Sequence, residues 1–424
     1  METTQLASGV TSRFIQNNRF KTTMISICFY LPLCKDTVSV EALIPKVMTS
    51  QSPEYKDFSE INRCLDLLYG AVLSTSVDKL ADLHEIRFAV SALSDRYTLE
   101  NSGALSGVTE LLSELLFSQY LSGQKYEDSV LTREKRLLTE EINSEINDKR
   151  RYARQRCEQE MCSGEPYGLP AHGTIEGVKA IDDDCLYKQI EMMLKTAYVN
   201  IQITGEKLPA GILETFKQSF SKIQRDYQTL NKDIINPAET LETVVEKMDV
   251  KQGKLVMGLR SASVGNDEQT ISTMVMGDLF GGGPYSKLFC NVREKLSLCY
   301  YCSARSVRRK GLIFVESGVE KQNTERAKEE IINQFNAVKS GDFTAENLAE
   351  STRSLSDSVK SVSDDLSSLD RWYSTRTFEE NPLSPEGFAK KISLVTADDV
   401  KESANRFLLD TVYIIEPKEE LENE

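Results

Sequence analysis

Histidine is nearly missing from this sequence: 424 residues hold two, His84 and His172. Neither has a second metal-ligating side chain at zinc-site spacing, so a metal centre built on this chain's own imidazoles is not expected. Blocks of positive charge are missing too. Lys and Arg number 51 against 65 Asp and Glu, a net charge of −14, which disfavours nucleic acid and anionic membrane as partners. No apolar run is long enough to cross a bilayer, and the best one, Met24 to Leu33, suits a buried strand. The opening residues lack the continuous apolar core of a secretory signal. Nine cysteines, an odd number, are scattered without a disulfide-like framework, which predicts reduced thiols and a cytoplasmic location. There is no G-x-S-x-G elbow and no Cys paired with a His in a recognisable motif, so a self-sufficient nucleophilic enzyme is disfavoured.

What is present is ample core material. Hydrophobic residues make up 40% and charged residues 27%, enough for two to three ordered domains. Lys21 to Leu33, rich in β-branched and aromatic residues, predicts a strand, and Met1 to Asn18 a lead-in with an edge strand. A short helix interrupted by Pro45 follows over Val38 to Thr49, then a helix over Ser59 to Tyr69. Strands are expected around Val72 to Val77 and Leu83 to Ala92, and a helix near Ala104 to Phe117. A long charged helix is expected from Tyr126 to Cys162, then a helix over Asp182 to Lys195 and a strand over Tyr198 to Thr204. The second half repeats this order, from a strand at Lys254 to Ser263 to a long helix from Thr344 towards Trp372. Its closing segment, VTADDVKESANRFLLDTVYIIEP, matches AIDDDCLYKQIEMMLKTAYVNIQITG in pattern: an acidic cap, an amphipathic helix, a strand. The fold class is therefore α+β, with two copies of one unit at residues 1–226 and 247–424. A polar linker at 227–246, marked by Asn236-Pro237, joins them.

The most distinctive stretch runs from Phe280 to Ala304, FGGGPYSKLFCNVREKLSLCYYCSA. It opens on Gly281, Gly282 and Gly283, which allow close backbone approach at a turn or interface. They lack the Lys-Ser/Thr ending of a phosphate-binding loop. Arg293 on a predicted helix and Tyr300 on the following strand stand seven residues apart. This stretch resembles the C-terminal-domain signature of the pitrilysin and mitochondrial-processing-peptidase family of zinc peptidases. The resemblance implies two homologous α+β domains, each a mostly antiparallel sheet packed with helices. It also implies that Arg293 and Tyr300 bind substrate peptide near a zinc ion.

Active members of that family carry His-x-x-Glu-His on the first helix of the N-terminal half, with two imidazoles for Zn²⁺ and a Glu as general base. The corresponding segment here, SVEALIPKVMTSQSPEY, has no His, and its core has only Glu41. Glu140 and Glu141 lie where the resemblance puts the third ligand, but without imidazoles they read as helix-surface charges. The Cys299-Tyr300-Tyr301-Cys302 run is half a structural zinc site at most, and on a regular strand residues three apart face opposite ways. No metal is therefore expected in this chain. The resemblance implies the non-catalytic subunit of a heterodimer: a zinc-motif paralogue would carry the zinc, and this chain would offer Arg293 and Tyr300 to the peptide. The alternative is an inactive scaffold or peptide-binding protein of the same fold.

Overall fold

The computed structural model describes residues 2–99, 103–230, 233–236, 240–264 and 267–418. Two mixed sheets organise them. The first contains β1 (Glu2–Ala7), β2 (Val10–Gln16), β3 (Thr22–Pro32), β4 (Val72–Leu80), β5 (Leu83–Leu93) and β6 (Tyr198–Gly205), in the order β1-β2-β6-β3-β5-β4. The second contains β7 (Glu242–Met248), β8 (Gly253–Ser261), β9 (Cys299–Val307), β10 (Leu312–Val319) and β11 (Phe407–Pro417), in the order β7-β11-β8-β10-β9. Leaving out β1, the two orders match strand for strand. The polarities match as well: β2 runs parallel to β6 as β7 does to β11, and the remaining neighbours are antiparallel. The repeat inferred from element order is thus present in the topology. The fold is two-domain α+β.

Helices α1 (Val38–Met48), α2 (Phe58–Leu67), α3 (Ala104–Ser113), α4 (Asp128–Ser144), α5 (Lys149–Met161) and α6 (Asp183–Thr196) punctuate the first half. Helices α7 (Asp267–Gly281), α8 (Thr324–Ser340), α9 (Ala345–Ser361), α10 (Leu366–Ser374) and α11 (Ala397–Asn405) do so in the second. The expected interruption at Pro45 does not occur. Pro45 sits inside continuous α1, nearly all of whose residues are buried, and packing offsets the missing N–H.

The two long helices expected from the sequence are each broken. After α4 the chain makes a short 3₁₀ turn, and the Asp148 carboxylate accepts from the N–H groups of Arg150 and Arg151 to start α5. After α9 a second turn leads to Asp365, which accepts from the N–H of Ser368 and starts α10. N-capping by Asp satisfies donors that a continuous helix would bond to its own carbonyls.

These breaks are where the chain changes units. One compact unit comprises Met1–Asn143, Leu169–Lys232 and Val362–Pro382, and the other Ser144–Gly168, Asp233–Ser361 and Leu383–Glu424. Each unit is therefore discontinuous, where the sequence reading drew contiguous halves. In the first unit α10 packs on β3 and β6; in the second α5 packs on β8 and β11. The 227–246 segment is also more than a linker, because its end forms the start of β7, paired in parallel with β11. Pro237, half of its Asn236-Pro237 mark, lies outside the described residues.

A buried ion-pair network anchors each borrowed helix. In the first unit Asp370, on α10, is fully buried and accepts from Arg87 (2.7 Å), Ser26, Thr204 and Gln202 (2.8 Å each). In the second, Arg260 on β8 donates to Glu165, just beyond α5, and to Asp410 at 2.9 Å, while the buried Lys310 ammonium lies 2.6 Å from Glu165.

Candidate functional site

Arg293 and Tyr300 belong to one cavity in the second unit. Arg293 sits in the π-helical segment Leu288–Lys295, and Tyr300 is the second residue of β9. Ser297, with φ 51°, turns the chain between them, and the N–H of Leu298 closes onto the Val292 carbonyl at 3.1 Å. Buried Leu288, Val292 and Leu298 fix this helix–strand corner from below. The result is an open cavity of about 420 Å³ lined by Arg293, Glu294, Ser297 to Tyr300, Glu320 and Asn323.

The polar groups of the cavity are only loosely engaged. The Arg293 side chain is 41% exposed, 3.5 Å from Glu294, with its guanidinium over the Phe289 ring at 4.7 Å. Tyr300 is 60% exposed, and its hydroxyl donates to Glu320 at 3.1 Å. That bond to an anion, and the anion's charge, raise the Tyr300 pKa. The phenol therefore stays a donor at neutral pH. Arg293 and Tyr300 can donate to carbonyl or carboxylate oxygens, and Glu320 can accept from an amide or ammonium.

A β-bulge makes Tyr300 point outward. Val319 pairs with Cys299 and Gly318 with Tyr301, so Tyr300 is the extra residue on β9. β9 is also the edge of its sheet, with β10 as its neighbour. The same bulge overturns an expectation about the two cysteines. On a regular strand Cys299 and Cys302 would face opposite ways, but one inserted residue restores them to the same face. Both are buried, and each thiol perturbs the other's titration. A strand's hydrophobic pattern carries no sign of where its partner skips a residue, so the bulge was not legible in the sequence.

The three glycines do not line this cavity. Gly281 ends α7 against β9, and a Cβ there would lie 2.5 Å from the Ala304 nitrogen. It lets the helix end touch the strand that carries Tyr300. At Gly283 a Cβ would meet the Tyr285 ring at 2.7 Å, and the Tyr285 hydroxyl donates to Asp278 at 2.7 Å.

In the first unit α1 does not offer a zinc site. Its one carboxylate, Glu41, is buried and engaged on both oxygens, by His84 Nδ1 at 2.6 Å and by Gln189 at 2.7 Å. His84 Nε2 donates to the Ala171 carbonyl at 2.9 Å, so this imidazole is a core group. Glu141, on α4, faces Lys46 of α1, whose ammonium is 2.8 Å away; His172 Nε2 is 3.8 Å from the other oxygen. An ammonium has no lone pair for a metal. Lys46 closes the frame Ala42-x-x-Pro45-Lys46, the five-residue spacing of His-x-x-Glu-His on the turn facing Glu141. None of its defining positions holds a ligand or base, so the donors present do not fit zinc. Glu140 instead pairs with Arg136 at 2.6 Å on the helix surface. Among the described residues no group of three or more His, Cys, Asp or Glu is placed to hold a metal ion. None of their helices is long and apolar enough to cross a membrane.

Comparison with known proteins agrees with this geometry. Residues 181–355 match the model of the peptidase M16 inactive domain. The chain is 30% identical over 411 residues to the probable inactive metalloprotease YmfF of Bacillus subtilis, covering 97% of this chain and 96% of that one. A conserved protein of Enterococcus faecalis V583 has a similar structure, with TM-score 0.91 and 23% identity over 99% of each chain. So has a peptidase M16 inactive domain from Pseudomonas fluorescens, with TM-score 0.81 and 16% identity over 99% of this chain and 98% of that one. A two-domain α+β chain with no imidazole on its first helix and this similarity along nearly its whole length is an inactive metallopeptidase homologue. It belongs to the pitrilysin-like M16 family, as a member of its inactive type.

Proposed function

We propose that this chain is the non-catalytic subunit of a heterodimeric zinc metallopeptidase, in which Arg293 and Tyr300 position a peptide opposite the zinc of a paralogous partner. The observation that carries this reading is the shared cavity: a partly exposed guanidinium and a mostly exposed phenol open into one space beside an edge strand. Structural side chains at a helix–strand corner would be buried and fully paired. Both of these instead reach solvent, with Tyr300 bonded to an exchangeable surface carboxylate and Arg293 held loosely beside Glu294, and they are the donor types that suit a peptide carbonyl. An extended peptide that adds a strand to a sheet edge would present its carbonyls to such donors. The zinc, its water and the general base would all belong to the partner, because α1 supplies none of them.

The test is co-expression with a paralogue that carries His-x-x-Glu-His, followed by peptide-cleavage kinetics on the purified complex. Arg293→Ala and Tyr300→Phe should each lower kcat/KM by at least about tenfold, as loss of a preorganised donor does. Unchanged kinetics in both variants would overturn the assignment. Metal analysis of this chain alone should give well under one equivalent of zinc, and a full tightly bound equivalent would sink the non-catalytic reading.

A further inference from the structure

The bulge at Tyr300 places two thiols together at the wall of the Arg293–Tyr300 cavity, and we propose that Cys299 and Cys302 form a redox-active dithiol that a hydroperoxide oxidises to an intramolecular disulfide. This does not depend on the peptide-positioning reading, and it is tested on this chain without a partner.

Three observations carry it. The thiols lie on one face of β9, brought there by the skipped pairing between Val319–Cys299 and Gly318–Tyr301, and each perturbs the other's titration. Cys299 is one of the cavity's lining residues, so a small oxidant in the cavity can reach it, whereas Cys302 lies deeper. β9 is an edge strand, so its outer side is free of a described sheet partner and can adjust as the two sulfurs close.

The surroundings divide the roles. The hydrogen bond from Cys302 favours the Cys299 thiolate, burial opposes it, and Ser317 and the charge of Arg293 assist; the net effect pushes Cys299 down to about 7. The same hydrogen bond, with burial, holds Cys302 well above the usual thiol range. Near neutral pH Cys299 is the nucleophile and Cys302 the resolving thiol.

The chemistry balances. The Cys299 thiolate attacks the terminal oxygen of the hydroperoxide; an S–O bond forms, the O–O bond breaks, and the alkoxide leaves as an alcohol after taking a proton. Cys302 then attacks the sulfenic sulfur of Cys299. The S–S bond forms, the S–O bond breaks, and hydroxide leaves with the Cys302 proton as water. Two thiols lose two electrons in all and the hydroperoxide gains them. A small-molecule thiol reductant reverses the change.

The experiment treats the full chain with stoichiometric hydrogen peroxide, alkylates the remaining thiols, and reads tryptic peptides by mass spectrometry. Both cysteines fall in one tryptic peptide, Leu296 to Arg305. That peptide should become two hydrogens lighter and escape alkylation, and dithiothreitol should restore both thiols. Cys302→Ser should halt the reaction at a sulfenic acid on Cys299 that dimedone traps, and Cys299→Ser should leave Cys302 unoxidised. In the untreated chain, alkylation of Cys299 should rise through about pH 7. The solvent-exposed Cys34, Cys185 and Cys290 are internal comparisons. If the exposed thiols are consumed while the Leu296–Arg305 peptide keeps both thiols, the proposal fails. It also fails if wild-type Cys299 accumulates as an unresolved sulfenic acid. Both readings use the wild-type chain, so a poorly folding variant does not blunt the test.

Discussion

Replacing Asp370 by Ala should detach α10 from the first sheet. The Asp370 carboxylate has no solvent exposure and is the charged partner of Arg87, 2.7 Å away. Burial alone would lower the Arg87 pKa, but the Asp370 charge overrides it and the net shift is upward, so Arg87 stays charged. Truncation therefore leaves a buried guanidinium without its counter-ion and removes the acceptor used by Ser26, Gln202 and Thr204. Breaking a buried pair from one side costs about 3–5 kcal/mol, a large share of the ~5–15 kcal/mol that stabilises a typical domain. With a urea slope of about 2 kcal/mol/M, a loss of ~4 kcal/mol lowers the midpoint of the first unit by roughly 2 M. The chain has one tryptophan, Trp372, which lies on α10 two residues from Asp370. Its fluorescence reports the undocking directly. The control is the double variant Asp370→Leu with Arg87→Met, which removes both charges and should recover much of the loss. A single-variant loss below about 1 kcal/mol, or strictly additive effects in the pair, would refute the reasoning.

Two further predictions concern the end of α7. Gly281→Ala forces a Cβ to within 2.5 Å of the Ala304 nitrogen and 2.7 Å of its Cβ, so β9 must shift. The expected destabilisation of the second unit is about 1–3 kcal/mol, and a change within ~0.5 kcal/mol, typical of indifferent surface sites, would contradict the close approach. Asp278, on the same helix, has its pKa raised by burial against the pull of hydrogen bonds from Ser351 and Tyr285. A raised carboxyl pKa favours the folded state below the ordinary carboxylate range, and that contribution is lost as pH rises through the folded value. Asp278→Asn should therefore gain stability relative to the parent as pH rises from about 3.5 to 7, measured by urea midpoints. A difference that does not vary with pH would remove the inferred cause.

Much of the fold was readable from residue order. β3, β5, β6, β8 and β10 fall where β-branched and apolar runs place them, and the matched segments before β6 and β11 mark the repeat, because a buried strand must be apolar whatever surrounds it. The two helix breaks were signalled by Asp148 and Asp365 but stayed hidden behind continuous amphipathic patterns. A cap and an interior Asp look alike until the neighbouring surfaces are known. The late entry of β7 into the predicted linker has a similar origin, since a short polar-alternating edge strand resembles a linker until its partner β11 is in place.

The sequence by itself determined what chemistry is missing. With two histidines in 424 residues and none within the α1 segment, no folding pattern could supply an imidazole pair on that helix, and ligand types are set covalently. It also determined that Arg293 and Tyr300 stand seven residues apart, behind the glycine run. Tertiary structure alone decided how these residues are used. Lys46 faces Glu141 only because the first unit's fold brings these two helix positions together, and Arg293 and Tyr300 share a cavity only because Ser297 turns the chain between them. Cys299 and Cys302 share a face of β9 only because β10 skips a residue opposite Tyr300. Each of these is a relation between segments, set by packing and strand register rather than by the local pattern of either segment.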